Sequence, residues 1–90
     1  MLVAVITTDK PGALDIRLEN RPAHVEYLKA SSEVQMAGPF VNEAGEMCGS
    51  MIILEVETLA DAQAWAQNDP YEKAGLFADV RIQHWNKVIG

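Results

Sequence analysis

The chain has 90 residues, 49% of them hydrophobic, and a formal charge of −6. This is enough apolar material for one compact domain spanning residues 1–90 and rules out a disordered chain. The acidic balance lacks a contiguous basic patch and so argues against nucleic acid as a partner, and no apolar run approaches membrane-spanning length. The lone Cys48 cannot close an internal disulfide, which fits a reducing, cytoplasmic setting. No basic segment leads into an apolar run at the N-terminus, so a secretory leader is not expected.

Leu2 to Thr8 opens the chain as a strand, and its unbroken apolar start (Leu2 to Ile6) predicts a central position covered on both faces. Asp9-Lys10-Pro11-Gly12 supplies the turn that stops it. From about Ala13 to Ala30 the spacing is helical, with Leu14, Leu18, Val25 and Leu28 as the expected packing face. Pro22 cannot donate to the carbonyl of Leu18, so the region is either one kinked helix or two successive ones.

Val34 to Val41 reads as a second strand, placed at an edge by Pro39. Asn42 to Glu46 is a short turn, and Met47 to Glu57 returns as a third strand, making an antiparallel hairpin. Cys48, Ser50, Ile52, Leu54 and Val56 share one face of it, and Gly49, Met51 and Ile53 share the other. Thr58 caps a helix running to about Gln67, with Asp61 at N3. Asp69-Pro70-Tyr71-Glu72 repeats the capping pattern and starts a short helical turn that should end at Gly75. Phe77 to about Val88 is the last strand. The order strand–helix–strand–strand–helix–strand predicts an α+β, ferredoxin-like βαββαβ plait with a four-stranded antiparallel sheet and helices on one face. The other face needs cover, so a homodimer is expected, with Gln83, His84 and Trp85 near the contact.

Few polar residues fall where a shared interior is expected. Arg17, Arg21, His24 and Leu28 form a narrow helical stripe beside the packing face, which sets the His24 imidazole at the helix–sheet boundary. An imidazole there exchanges protons near neutral pH, or simply bonds a backbone carbonyl beside the core. Asp69 is fully explained as a helix cap, yet a cap carboxylate also orients an imidazole when the fold brings the two together. Ser50, next to Gly49, suits either a ligand-facing hydroxyl or a packed serine, and no nucleophile elbow surrounds it. Arg17 and Arg21 offer planar donor forks for a carboxylate or phenolate, or for pairing with Glu19, Glu26 or a partner subunit at the surface. No phosphate-binding loop, dinucleotide fingerprint or zinc spacing is present, so neither a cofactor nor a metal is expected.

Taken in order, Asp9-Lys10-Pro11-Gly12, Arg17-Leu18, Arg21-Pro22-Ala23-His24, Tyr27-Leu28, Ala37-Gly38-Pro39, Gly49-Ser50, Ala64-Trp65, Asp69-Pro70-Tyr71 and Ala74-Gly75 resemble the YciI-like (YCII-related) domain family across nearly the whole chain. The resemblance implies ferredoxin-like subunits assembled as a dimeric α+β barrel. It also implies an active-site pair at His24 and Asp69, with Ser50 beside the same pocket. One branch of the family resembles dehydrochlorinases acting on chlorinated hydroxyhydroquinones in aromatic degradation, and related plait dimers include muconolactone isomerases. The expected function is therefore cofactor-independent acid–base catalysis, as a lyase or isomerase, on a small oxygenated cyclic or anionic molecule. His24 would move the proton, Asp69 would orient it, and Ser50, Arg17 or Arg21 would hold an oxyanion. The alternative is a non-catalytic dimer that binds a small ligand or serves as an accessory protein.

Overall fold

Leu2–Asp9 forms β1, and the alternation of its side chains sends Val3, Val5 and Thr7 to one face of a sheet and Ala4 and Ile6 to the other. The computed structural model describes residues 1–90, with α1 at Leu14–Ala30, β2 at Val34–Val41, β3 at Met47–Glu55, α2 at Leu59–Gln67, α3 at Pro70–Lys73 and β4 at Phe77–Trp85. The sheet order is β2-β3-β1-β4 and every pairing is antiparallel. β1 is thus central and β2, with Pro39, lies at an edge, as expected for the plait. The last two strands are shorter than the sequence suggests: β3 stops at Glu55 and β4 at Trp85.

The expectation of a barrel is corrected here. β2 pairs only with β3 and β4 only with β1, so the sheet is open, with two free edges and no closing contact. A barrel needs its first and last strands joined by a ladder, and these four strands do not supply one.

The helices lie on the face that carries Val3, Val5, Ile52 and Leu54, which form a buried cluster with Ala62 and Trp65 of α2. Each such aliphatic side chain contributes about 1.5–3 kcal/mol on full burial. α2 begins with a reciprocal cap in which the Asp61 N–H donates to Thr58 Oγ1 and the Thr58 N–H donates to Asp61 Oδ2. Tyr27 donates to the Trp65 carbonyl at 2.7 Å and Trp65 Nε1 donates to Ser31 Oγ at 2.9 Å, tying the end of α1 to α2. A second cluster, Ala13, Tyr71 and Leu76, packs where α1 meets α3.

α1 runs unbroken through Pro22. Pro22 and Leu18 are both exposed, so the carbonyl deprived of its donor lies on the solvent side of the helix. The helix also sits in a different phase from the one expected: Leu18 is 53% exposed, whereas Arg17 and His24 are buried. The polar pair goes inward because each member finds a buried carboxylate, and this turns Leu18 out.

Gly49 shows how closely β3 and β1 approach in front of the site. A Cβ at this position would run into the carbonyl of Thr7, a backbone atom that cannot move without breaking the β1–β3 ladder. Gly49→Ala is expected to destabilise the protein by about 1–3 kcal/mol, the cost of overpacking. Urea denaturation measures it, and a midpoint equal to the wild type would contradict the close approach.

Candidate active site

α3 is only four residues long, and its start is what builds the centre of the site. Pro70 occupies the first helical position, and Asp69 caps the turn by accepting the Tyr71 N–H on Oδ1 at 3.0 Å. The same Oδ1 lies 2.8 Å from His24 Nδ1. Asp69 and His24 are both buried, at 2% and 6% exposed. An ionised carboxylate only accepts, so His24 donates from Nδ1, and its Nε2 is left with a lone pair and no partner within the chain. The two sequence alternatives for Asp69 are therefore not exclusive: one oxygen serves as helix cap and imidazole partner together.

Tyr71 carries its ring beneath this pair. It is fully buried and stacks on the imidazole with centroids 3.9 Å apart and planes 16° from parallel. The Arg17 guanidinium carbon lies 4.6 Å from the centroid of the same ring. Burial pushes the Tyr71 phenol above its ordinary value, and the positive charges of Arg17 and Arg21 pull it only part of the way back.

Arg17 is held from the opposite side by Asp9. Nε donates to Asp9 Oδ2 at 2.7 Å and Nη2 to Oδ1 at 2.9 Å, a two-point clamp with both side chains nearly withdrawn from water. Burial opposes the charge on Arg17, but the bond to Asp9 and the charge of Asp9 outweigh it and leave the guanidinium above its ordinary value. Nη2 also donates to Ser50 Oγ at 3.0 Å. Arg21, one turn further along α1, is exposed and makes no ion pair or hydrogen bond within the chain.

Arg17, Arg21, His24, Ser50 and Tyr71 all line one cavity of about 160 Å³, whose apolar walls include Leu28, Pro39 and Ile52. The structure thus gathers all but one of the residues singled out from sequence around this space; Asp69 stands behind His24 instead of lining it. Sequence reasoning missed Asp9, assigned there only to a turn, and Tyr71. An arginine on the inward stripe of a helix demands a buried anion, and the carboxylate at the end of the preceding strand was the available signal. His84 is exposed and far from this constellation in the pairing scheme, opposite Val3.

The whole chain is similar to known proteins. A family model described as the YCII-related domain matches residues 1–86. The chain is 37% identical to protein YciI of Escherichia coli O6:H1, covering 99% of this chain and all of that one. A protein of Haemophilus influenzae is 36% identical, with the same coverage. Among solved structures, 5-chloro-2-hydroxyhydroquinone dehydrochlorinase (TftG) from Burkholderia phenoliruptrix, in complex with 2,5-dihydroxybenzoquinone, is 34% identical with a TM-score of 0.87, covering 96% of this chain and 94% of that one.

The Tyr71 environment carries a pH signature. Its folded-state phenol is raised above the unfolded value of about 10, so the unfolded chain gives up this proton first as pH rises. The associated stability is complete below about pH 10 and is lost as pH climbs through the raised folded value. Tyr71→Phe is expected to flatten the alkaline fall in unfolding free energy, though Tyr27, also raised by its burial, retains its own share. Denaturant unfolding at a series of alkaline pH values measures the slope, and identical slopes for the two proteins would contradict the assignment.

Proposed function

The chain belongs to the YCII-related domain family, and on that premise we propose that it is an acid–base enzyme acting on a small oxygenated ring of the kind met in aromatic degradation. The observation that carries this reading is the buried His24–Asp69 pair, with the unpartnered Nε2 on a residue lining a cavity of single-ring size. Asp69 fixes the Nδ1–H tautomer and stabilises the imidazolium that forms when Nε2 takes a proton from a ring hydroxyl or an acidic C–H. The released electron pair moves into the ring and onto an oxygen, where Ser50, Arg17 and Arg21 supply donors for the developing charge.

Two outcomes follow from the same first step. If the ring bears chlorine, His24 returns the proton to the chlorine-bearing carbon, and loss of the proton of a second ring hydroxyl then drives chloride off that carbon, for a net loss of HCl as the ring becomes a quinone. If it does not, His24 returns the proton to another carbon, and the product is an isomer. The dehydrochlorinase of similar structure supports the first outcome. Neither requires a nicotinamide or a metal for its atoms and electrons to balance.

We read the working form as a cytoplasmic homodimer of this one domain. The sheet face away from the helices carries Met36, Phe40, Met51 and Trp85, each between 39% and 53% exposed. A second copy laid on that face removes such surface from water at about 25 cal/mol per Å². The free Cys48 suits a reducing compartment.

Chloride release from 5-chloro-2-hydroxyhydroquinone, and ultraviolet change on related hydroxylated rings, test the chemistry. His24→Gln is expected to keep the circular dichroism of the wild type and to lose about 10²–10⁴ in turnover, the usual worth of a positioned acid–base group. A folded His24→Gln protein with undiminished turnover would remove His24 from the mechanism.

A further inference from the structure

The hydrogen bonds beneath the cavity specify which ring it accepts, a conclusion that rests on the acid–base reading of the same site. A serine hydroxyl has one proton to give and two lone pairs to offer. Arg17 has only donors, so its 3.0 Å bond to Ser50 Oγ occupies a lone pair and cannot receive the Ser50 proton. Asp9 holds Arg17 at both Nε and Nη2, which fixes the guanidinium against Ser50. No acceptor within the chain takes the Ser50 proton; even Thr7, its partner across the β1–β3 ladder, has an Oγ1 with no hydrogen bond at all. Ser50 lines the cavity, and so does Arg21, a cation with no partner.

His24 has the opposite polarity. Its Nδ1–H is given to Asp69, so the neutral ring offers the cavity an acceptor at Nε2. The site therefore presents one acceptor and a set of donors, within a volume of about 160 Å³ that suits a single ring. We propose that Asp9 is a positioning residue which, through Arg17, makes Ser50 a one-way donor. The site thereby selects a planar ring bearing one anionic or carbonyl oxygen, held by Ser50 and Arg21, and one hydroxyl, given to His24.

Three chromophoric rings separate these requirements. Near neutral pH 4-nitrocatechol carries one ionised oxygen and one hydroxyl, 2-methoxy-4-nitrophenol keeps the ionisable oxygen alone, and 1,2-dimethoxy-4-nitrobenzene has neither. Spectrophotometric titration of the full chain is expected to show affinity falling about tenfold at each methylation. In Ser50→Ala and in Asp9→Asn the second step, which reports the ionised oxygen, should shrink at least threefold while the first persists. A ratio of affinities within one protein is insensitive to a general loss of packing, and Ser50→Ala carries the test alone if Asp9→Asn does not fold. Equal binding of the three rings by the wild type, no binding of 4-nitrocatechol, or an unchanged second step in Ser50→Ala would overturn the proposal. Turnover does not enter this readout. A protein that shows the ladder and converts no ring would keep the proposal and lose the catalytic reading, and a flat ladder with active turnover would do the reverse.

Discussion

Two polar pairs buried beneath a single helix, the Arg17–Asp9 ion pair and the hydrogen bond from His24 to Asp69, set the arrangement of everything around them. Taking a charge out of water costs several kcal/mol per ion, and a small domain holds only about 5–15 kcal/mol of net stability. Such groups can be inside only if each has its partner at close range, and removing one partner strands the other at a cost of about 3–5 kcal/mol. The phase of α1 follows from this. Its inward face is the one from which Arg17 reaches the end of β1 and His24 reaches the start of α3, and Leu18 is left in water as a consequence.

The same pairs connect fold to chemistry. Asp69 Oδ1 starts α3 and orients the imidazole, so the helix and the proposed base are held by one atom. Tyr71 leaves that helix with its backbone N–H on Asp69 and its ring against both His24 and Arg17, bridging the two buried pairs through a single residue. On the sheet, the absence of a side chain at Gly49 lets β3 close on Thr7 and sets Ser50 within reach of Arg17. The proposed proton transfer and oxyanion binding thus draw on contacts that also stabilise the native state, a geometry preorganised before any ligand enters.

Much of this was legible in the sequence because it is governed by local rules. Pro39 marked an edge strand, the Thr58 and Asp69 caps marked two helix starts, and the unbroken apolar run of β1 marked the sheet centre. The phase of α1 was not legible, because a hydrophobic periodicity assigns arginine to water and cannot know that Asp9 will meet it. The shared role of Asp69 depends on a contact 45 residues away in sequence, which capping rules do not address. The barrel was inferred from resemblance, and the open edges of β2 and β4 contradict it for this chain.

The central claim is that Asp69 holds His24 as the Nδ1–H tautomer, with Nε2 bare and ready to take a proton. Long-range ¹H–¹⁵N correlation of the imidazole side chains, recorded above the pH at which the ring is charged, observes this directly. The account predicts that the buried histidine shows a protonated Nδ1 and an unprotonated Nε2, and that Asp69→Ala removes this preference. A wild-type His24 found with its proton on Nε2 would contradict it.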